Sequence, residues 1–142
     1  MKRAVSITLK IPDNTAYTAL VALRRLGVDV DRIERSDIRF FEDHGDVPAL
    51  QRRIQNDETI FNPNLHRIAV LDDPEPRSGE VWIVPENAEG SAIVAWRLFE
   101  ANARPVDRAV LGAAVERLLC NPAIERAVIG GCDDRDNARA SE

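Results

Sequence analysis

Two cysteines, two histidines and one methionine in 142 residues leave little of the usual machinery of catalysis. Cys120 and Cys132 stand at no metal-ligand or redox spacing, so a reducing cytoplasm is the expected compartment. His44 falls in a polar turn and His66 opens a strand beside Arg67. Neither has a sequence neighbour that would complete a nucleophile–base pair or a metal site. No glycine-rich phosphate loop occurs, and Ser6, Ser36, Ser78 and Ser91 lack the context of a nucleophile elbow. The longest apolar runs are far too short for a membrane span, and the opening MKRAVSITLK lacks the apolar region of a signal peptide, so no membrane partner is expected. A net charge of −5 argues against nucleic acid, which needs a concentrated basic face. Arg24–Arg25 and Arg52–Arg53 are adjacent basic pairs on expected helices, and they read as solvated helical faces. No catalytic residue, cofactor or metal site is therefore expected. The composition, 44% hydrophobic and 30% charged, is ordinary for a soluble globular protein, and the silence on catalytic groups points to one that binds or assembles.

What the chain does have is repetition. Residues 11–26, IPDNTAYTALVALRRL, recur 73 positions later as residues 84–99, VPENAEGSAIVAWRLF, with six identities in sixteen pairs. A second echo pairs NPNLHRIAV (62–70) with NPAIERAVI (121–129) at an offset of 59. Two units of about 70 residues each would sit near the size at which a lone core becomes marginal, so they are expected to bury surface against each other or against another chain.

Periodicity gives the elements. Residues 4–11 alternate as a half-buried strand, stopped by Pro12, with Asp13 or Asn14 placed to cap the helix that follows. Ala16, Ala19, Leu20, Leu23 and Leu26 make its apolar stripe, and Gly27 closes it. Residues 30–35 and 38–42 read as two short strands joined at Ser36–Asp37, followed by a helix capped by Asp46 and a strand over 65–71. That order predicts a βαββαβ module over residues 1–72, an α+β, ferredoxin-like sandwich whose antiparallel sheet carries helices on one face. Residues 73–79, rich in proline and charge, read as a linker. Residues 80–130 read as a truncated second copy, βααβ, with a helix from about 87 to 103 and the hairpin lost. Residues 131–142 read as a disordered tail.

Asn14 and Asn87 occupy equivalent strand-to-helix turns, and Asn62 and Asn121 equivalent helix-to-strand turns before Pro63 and Pro122. Helix N-termini present free backbone amides, which makes Asn14 and Asn87 candidate binding turns. The neighbouring acids Asp13 and Glu86 oppose an anion there, and capping or strand-stopping explains all four asparagines structurally. Trp82 and Trp96, both in the reduced second copy, are candidate interface residues.

The element order and two motifs resemble the PurS component of phosphoribosylformylglycinamidine synthase. Gly90–Ser91–Ala92–Ile93 is similar to the start of that family's first helix. The stretch Leu118–Leu119–Cys120–Asn121–Pro122–Ala123–Ile124–Glu125 is similar to the end of its last helix. The family's Asp-Pro-Gln-Gly turn is replaced by Pro12–Asp13–Asn14 and Pro85–Glu86–Asn87, and two modules are fused where the family has one. The resemblance implies a non-catalytic accessory subunit that forms homo-oligomers and bridges synthase and glutaminase subunits in purine biosynthesis. A ferredoxin-like regulatory module that holds a small molecule at the repeated turns is the alternative. An enzyme whose residues meet only on folding is a third reading.

Overall fold

The alternation of the first strand survives folding: Val5 and Ile7 pack among the second helix's apolar residues, while Ala4 packs in a separate cluster on the other side. The computed structural model, which describes residues 2–86 and 93–130, builds this strand into an α+β structure of one six-stranded antiparallel sheet and three α-helices. In chain order these are β1 (Lys2–Leu9), α1 (Asn14–Arg25), β2 (Arg32–Glu42), α2 (Val47–Gln55), β3 (His66–Val70), β4 (Glu80–Pro85), β5 (Ile93–Phe99), α3 (Arg108–Ala114) and β6 (Glu125–Ile129). A π-helical turn, Val115–Leu119, continues α3. Across the sheet the order is β3-β1-β2-β5-β4-β6.

Aspartates start all three helices. Asp13, Asp46 and Asp107 each accept a hydrogen bond from a backbone N–H of the first turn. The end of α1 is a Schellman motif, in which Val28 N–H donates to Leu23 O and Gly27 N–H to Arg24 O. Gly27 takes φ +87° there, a conformation that costs a side chain more than it costs glycine.

All three helices cover the same face. Ala16, Ala19 and Leu23 of α1 and Leu111 and Ala114 of α3 pack on Ile33, Val81, Ile83 and Leu98, while Leu50 and Ile54 of α2 pack on Val5 and Ile7. The strand pairing puts those sheet residues on one side. The opposite side is closed by chain rather than by helix. The connection from β3 to β4 crosses from one edge strand over three strands, carrying Leu71 into a cluster with Ala4, Ile38, Trp82 and Ala95. This strap is anchored where Arg97 donates from Nε to Ser78 O at 3.1 Å and Leu98 N–H donates to Gly79 O at 2.9 Å. Gly79 sits at φ +71° with Pro105 against its Cα, so a Cβ there would come within 2.7 Å of Pro105 Cβ. The expected linker is thus the cover of the second face.

Two expected elements fold differently. Residues 30–42 form no hairpin: β2 is one strand of 11 residues. No glycine, proline or asparagine interrupts Ser36–Asp37, and β2 changes neighbours there instead of turning. β1 pairs with it from Ser36 to Glu42 and β5 from Arg32 to Ile38. The first half is therefore βαβαβ rather than βαββαβ. The helix expected over 87–103 is also absent from the described part of that range, because residues 93–99 are strand β5. Pairing with β2 on one side and β4 on the other satisfies the backbone groups of this segment, and that tertiary gain overrides a helical pattern. Among the described residues the second half reads ββαβ, and the echo of 11–26 in 84–99 sets helix residues of α1 against strand residues of β5. The expected tail, 131–142, lies outside the described residues.

Candidate functional site

The turns flagged by the second echo do fold alike. Asn62 Oδ1 accepts from Asn64 N–H at 2.9 Å and Asn121 Oδ1 from Ala123 N–H at 3.1 Å, each closing an Asx turn over the following proline. The Asn62 N–H donates to His66 Nδ1 at 3.0 Å, and the Asn121 N–H donates to Glu125 Oε1 at 2.9 Å. Both asparagines are thus occupied locally, in turns that deliver the chain into edge strands β3 and β6. Asn14 opens α1 but does not cap it: Asp13 does, at 3.0 Å to Thr15 N and 3.1 Å to Ala16 N. Asn87 lies outside the described residues. The three described candidate turns, at Asn14, Asn62 and Asn121, are not brought together into one site.

The tryptophans divide. Trp82 is 3% exposed, set edge-on to Phe40 with ring centroids 6.1 Å apart, and its indole N–H has no acceptor among the described residues. Trp96 is half-buried and floors a shallow groove of about 430 Å³ between α1 and Leu118–Leu119. Of the two tryptophans, only Trp96 presents surface at which another molecule would meet the ring.

A different place has the geometry of a site. β1 leaves the sheet at Lys10 to enter α1, while β2 runs on beside β5 through Arg35 to Arg32. The gap between the departing strand and the continuing one is a cavity of about 370 Å³. Leu9, Ile11, Leu20 and Ile33 supply apolar wall, and Tyr17 stands beside it, two-thirds exposed.

Its charged rim comes from three separate elements. Arg35 donates from Nε and Nη2 to Asp13 at 3.1 and 3.3 Å. Burial pushes the Asp13 carboxyl up, but the Arg35 guanidinium and the Ala16 and Thr15 amides outweigh it and hold the group below its ordinary value. Arg32 Nη1 lies 2.7 Å from Glu34 Oε2, and Arg67 Nη2 lies 3.2 Å from the same oxygen. Two guanidiniums therefore share one carboxylate oxygen.

The charge pattern continues across the strap side of the sheet. Glu34 and Glu80 are the cross-strand neighbours of Arg97, and Arg77 grips Glu80 with Nε at 3.1 Å and Nη2 at 2.8 Å. Burial and then the neighbouring Arg77 lower the Arg97 pKa, against the opposing pull of Glu80 and Glu34. The row Arg67–Glu34–Arg97–Glu80–Arg77 alternates in sign and carries one more cation than anion, before Arg32 is added.

Sequence reasoning missed this cluster. Arg32 and Glu34 are two apart, a spacing that signals a shared face only once their strand is known, and Arg67 joins them through a register that no local pattern encodes. The adjacent basic pairs have local work: Arg24 donates to Val30 O and Asp31 O beyond α1, and Arg53 donates to Glu42 O. Comparison of the chain with protein-family models, curated proteins and solved structures finds no match. Among the described residues no group of His, Cys, Asp and Glu could hold a metal ion, and no helix is long and apolar enough to cross a membrane.

Proposed function

We propose that this chain is a PurS-type assembly module doubled within one polypeptide, acting without catalysis to bridge other subunits. The observation that carries the reading is the symmetry of the ladders. β1 is flanked by β2 and β3 as β4 is flanked by β5 and β6, so the sheet reads alike from either edge. Register agrees with order. Val5 pairs with Val70 as Val81 pairs with Ile129, and Leu9 pairs with His66 as Pro85 pairs with Glu125. Lys10 N–H donates to Leu65 O where Glu86 N–H donates to Ile124 O, just beside the paired Asx turns.

In this reading the ferredoxin-like halves meet through β2 and β5, as two copies of a single module would meet, and the second half keeps its strands and last helix. The match relates Val5 to Val81 rather than to the residue 73 places on, so the first sequence echo is not the trace of the doubling; the Asn-Pro echo is. Further assembly runs through surfaces outside the central seam. Among the described residues edge strands β3 and β6 each have one neighbour, and Leu118 and Ile124 are large exposed apolar residues.

The test is sedimentation velocity of the chain, alone and mixed with the purified synthase and glutaminase subunits of its own host. The reading expects self-association at micromolar concentration and a species containing all three proteins in the mixture. Independent sedimentation of each component would reject it.

A further inference from the structure

We propose that the cavity between β1, β2 and the start of α1 binds a small organic anion: one carboxylate or phosphate group on an apolar or aromatic body. The volume is within the range of small-molecule sites, about 300–1,000 Å³, and exceeds what an inorganic ion would fill. The inference does not depend on the bridging role, since the charges and walls of the cavity are the same whether or not the chain bridges other subunits.

Charge selects the ligand's head. Three guanidiniums, from Arg32, Arg35 and Arg67, meet two carboxylates at the rim. The Asp13 carboxylate is committed to Arg35 and two helix amides, which leaves it no role toward a ligand. Arg32, whose guanidinium also lies 4.1 Å over the Phe99 ring, and Arg67 then converge on Glu34 Oε2, with about half of each arginine side chain still in solvent. Two forked donors with five N–H groups each cannot be satisfied by one carboxylate. A second anion placed between them would take charge-assisted, bidentate bonds from both. Arg97, the cross-strand neighbour of Glu34, adds to the same positive field.

The walls select the ligand's body. Leu9, Ile11, Leu20 and Ile33 offer no hydrogen bonds, and the exposed Tyr17 ring is placed to lie against a flat apolar group. Glu34 is the built-in competitor: it neutralises part of the guanidinium pair when the cavity is empty and repels an anion that enters.

That competition gives a test with opposed signs. The intact chain is titrated by calorimetry with phenyl phosphate, with benzoate and with neutral benzyl alcohol. Saturable binding is expected for at least one of the two anions, at least about tenfold tighter than the alcohol. The anion that wins identifies the head group as phosphate or carboxylate. Arg67→Gln and Arg32→Gln should each weaken anion binding by about tenfold, with unchanged circular dichroism, whereas Arg126→Gln on β6 should not. Glu34→Gln should tighten it severalfold, an effect that mere structural support would not produce. Equal binding of the alcohol, no saturable binding of either anion, or weaker anion binding in Glu34→Gln would overturn the proposal.

Discussion

Replacing Asp13 by alanine and, separately, Asn14 by alanine separates two readings of one turn. Either residue is chemically able to cap α1, but the geometry assigns the cap to Asp13, whose Oδ1 receives both the Thr15 and Ala16 amides. Losing an aspartate cap costs about 0.5–2 kcal/mol. Asp13 also ties the start of α1 to β2 through Arg35, with 14% of the aspartate side chain and 30% of the arginine side chain exposed. A pair in that setting adds about 1 kcal/mol after solvent screening. Asp13→Ala should therefore destabilise by about 1.5–3 kcal/mol, lowering Tm by roughly 5–10 °C in a chain of this size. Asn14→Ala, at an exposed first-turn position, should stay within about 0.5 kcal/mol. Thermal melts followed by circular dichroism and urea midpoints would measure both. Equal losses for the two variants, or a larger loss for Asn14→Ala, would refute the assignment.

The Asp13 carboxyl is held below its ordinary pKa in the folded chain, so its contribution is complete above the unfolded value near 4 and is lost as pH falls through the lower folded one. Urea midpoints of the wild type should fall through that acid window more steeply than those of Asp13→Asn. Glu80 is 1% exposed and is gripped by Arg77, which keeps about a third of its side chain in water. Glu80→Gln should cost about 2–4 kcal/mol, read from urea unfolding, by leaving a half-buried guanidinium without its carboxylate. Leu98 and Leu111 are fully buried in the core that joins the two halves. Alanine at either should cost about 2–5 kcal/mol and melt the chain in a single transition, whereas two separate transitions would mean that the halves fold independently.

Much of the fold was legible wherever a local rule had no competitor. Alternation marked β1, the Asp13 and Asp46 caps and the Gly27 terminator bounded the first two helices, and Asn-Pro marked the entries to β3 and β6. Legibility failed at the centre of the sheet. β5 carries Ile93, Trp96 and Phe99 at helical spacing, and only pairing with its neighbour strands decides that it is extended. The same pairing lets β2 pass through Ser36–Asp37 without a turn, its Ser36 hydroxyl 2.6 Å from that of Thr8. The candidate cavity was hidden for the same reason, since Asp13, Arg32, Glu34 and Arg67 become neighbours only through β1–β2 and β1–β3 registers. The first echo misled because composition repeats more readily than structure, and the short Asn-Pro echo was the one tied to backbone geometry.

The central claim is that β5 occupies the place of a second β2. A fragment ending at Pro76 retains β1, α1, β2, α2 and β3 and frees the edge of β2 that β5 covers. Its mass in solution, measured by sedimentation equilibrium at micromolar concentration together with its circular dichroism, tests the claim directly. The account predicts a discrete, folded homodimer in which β2 pairs with its own copy. A folded fragment that remains monomeric across that range would contradict it.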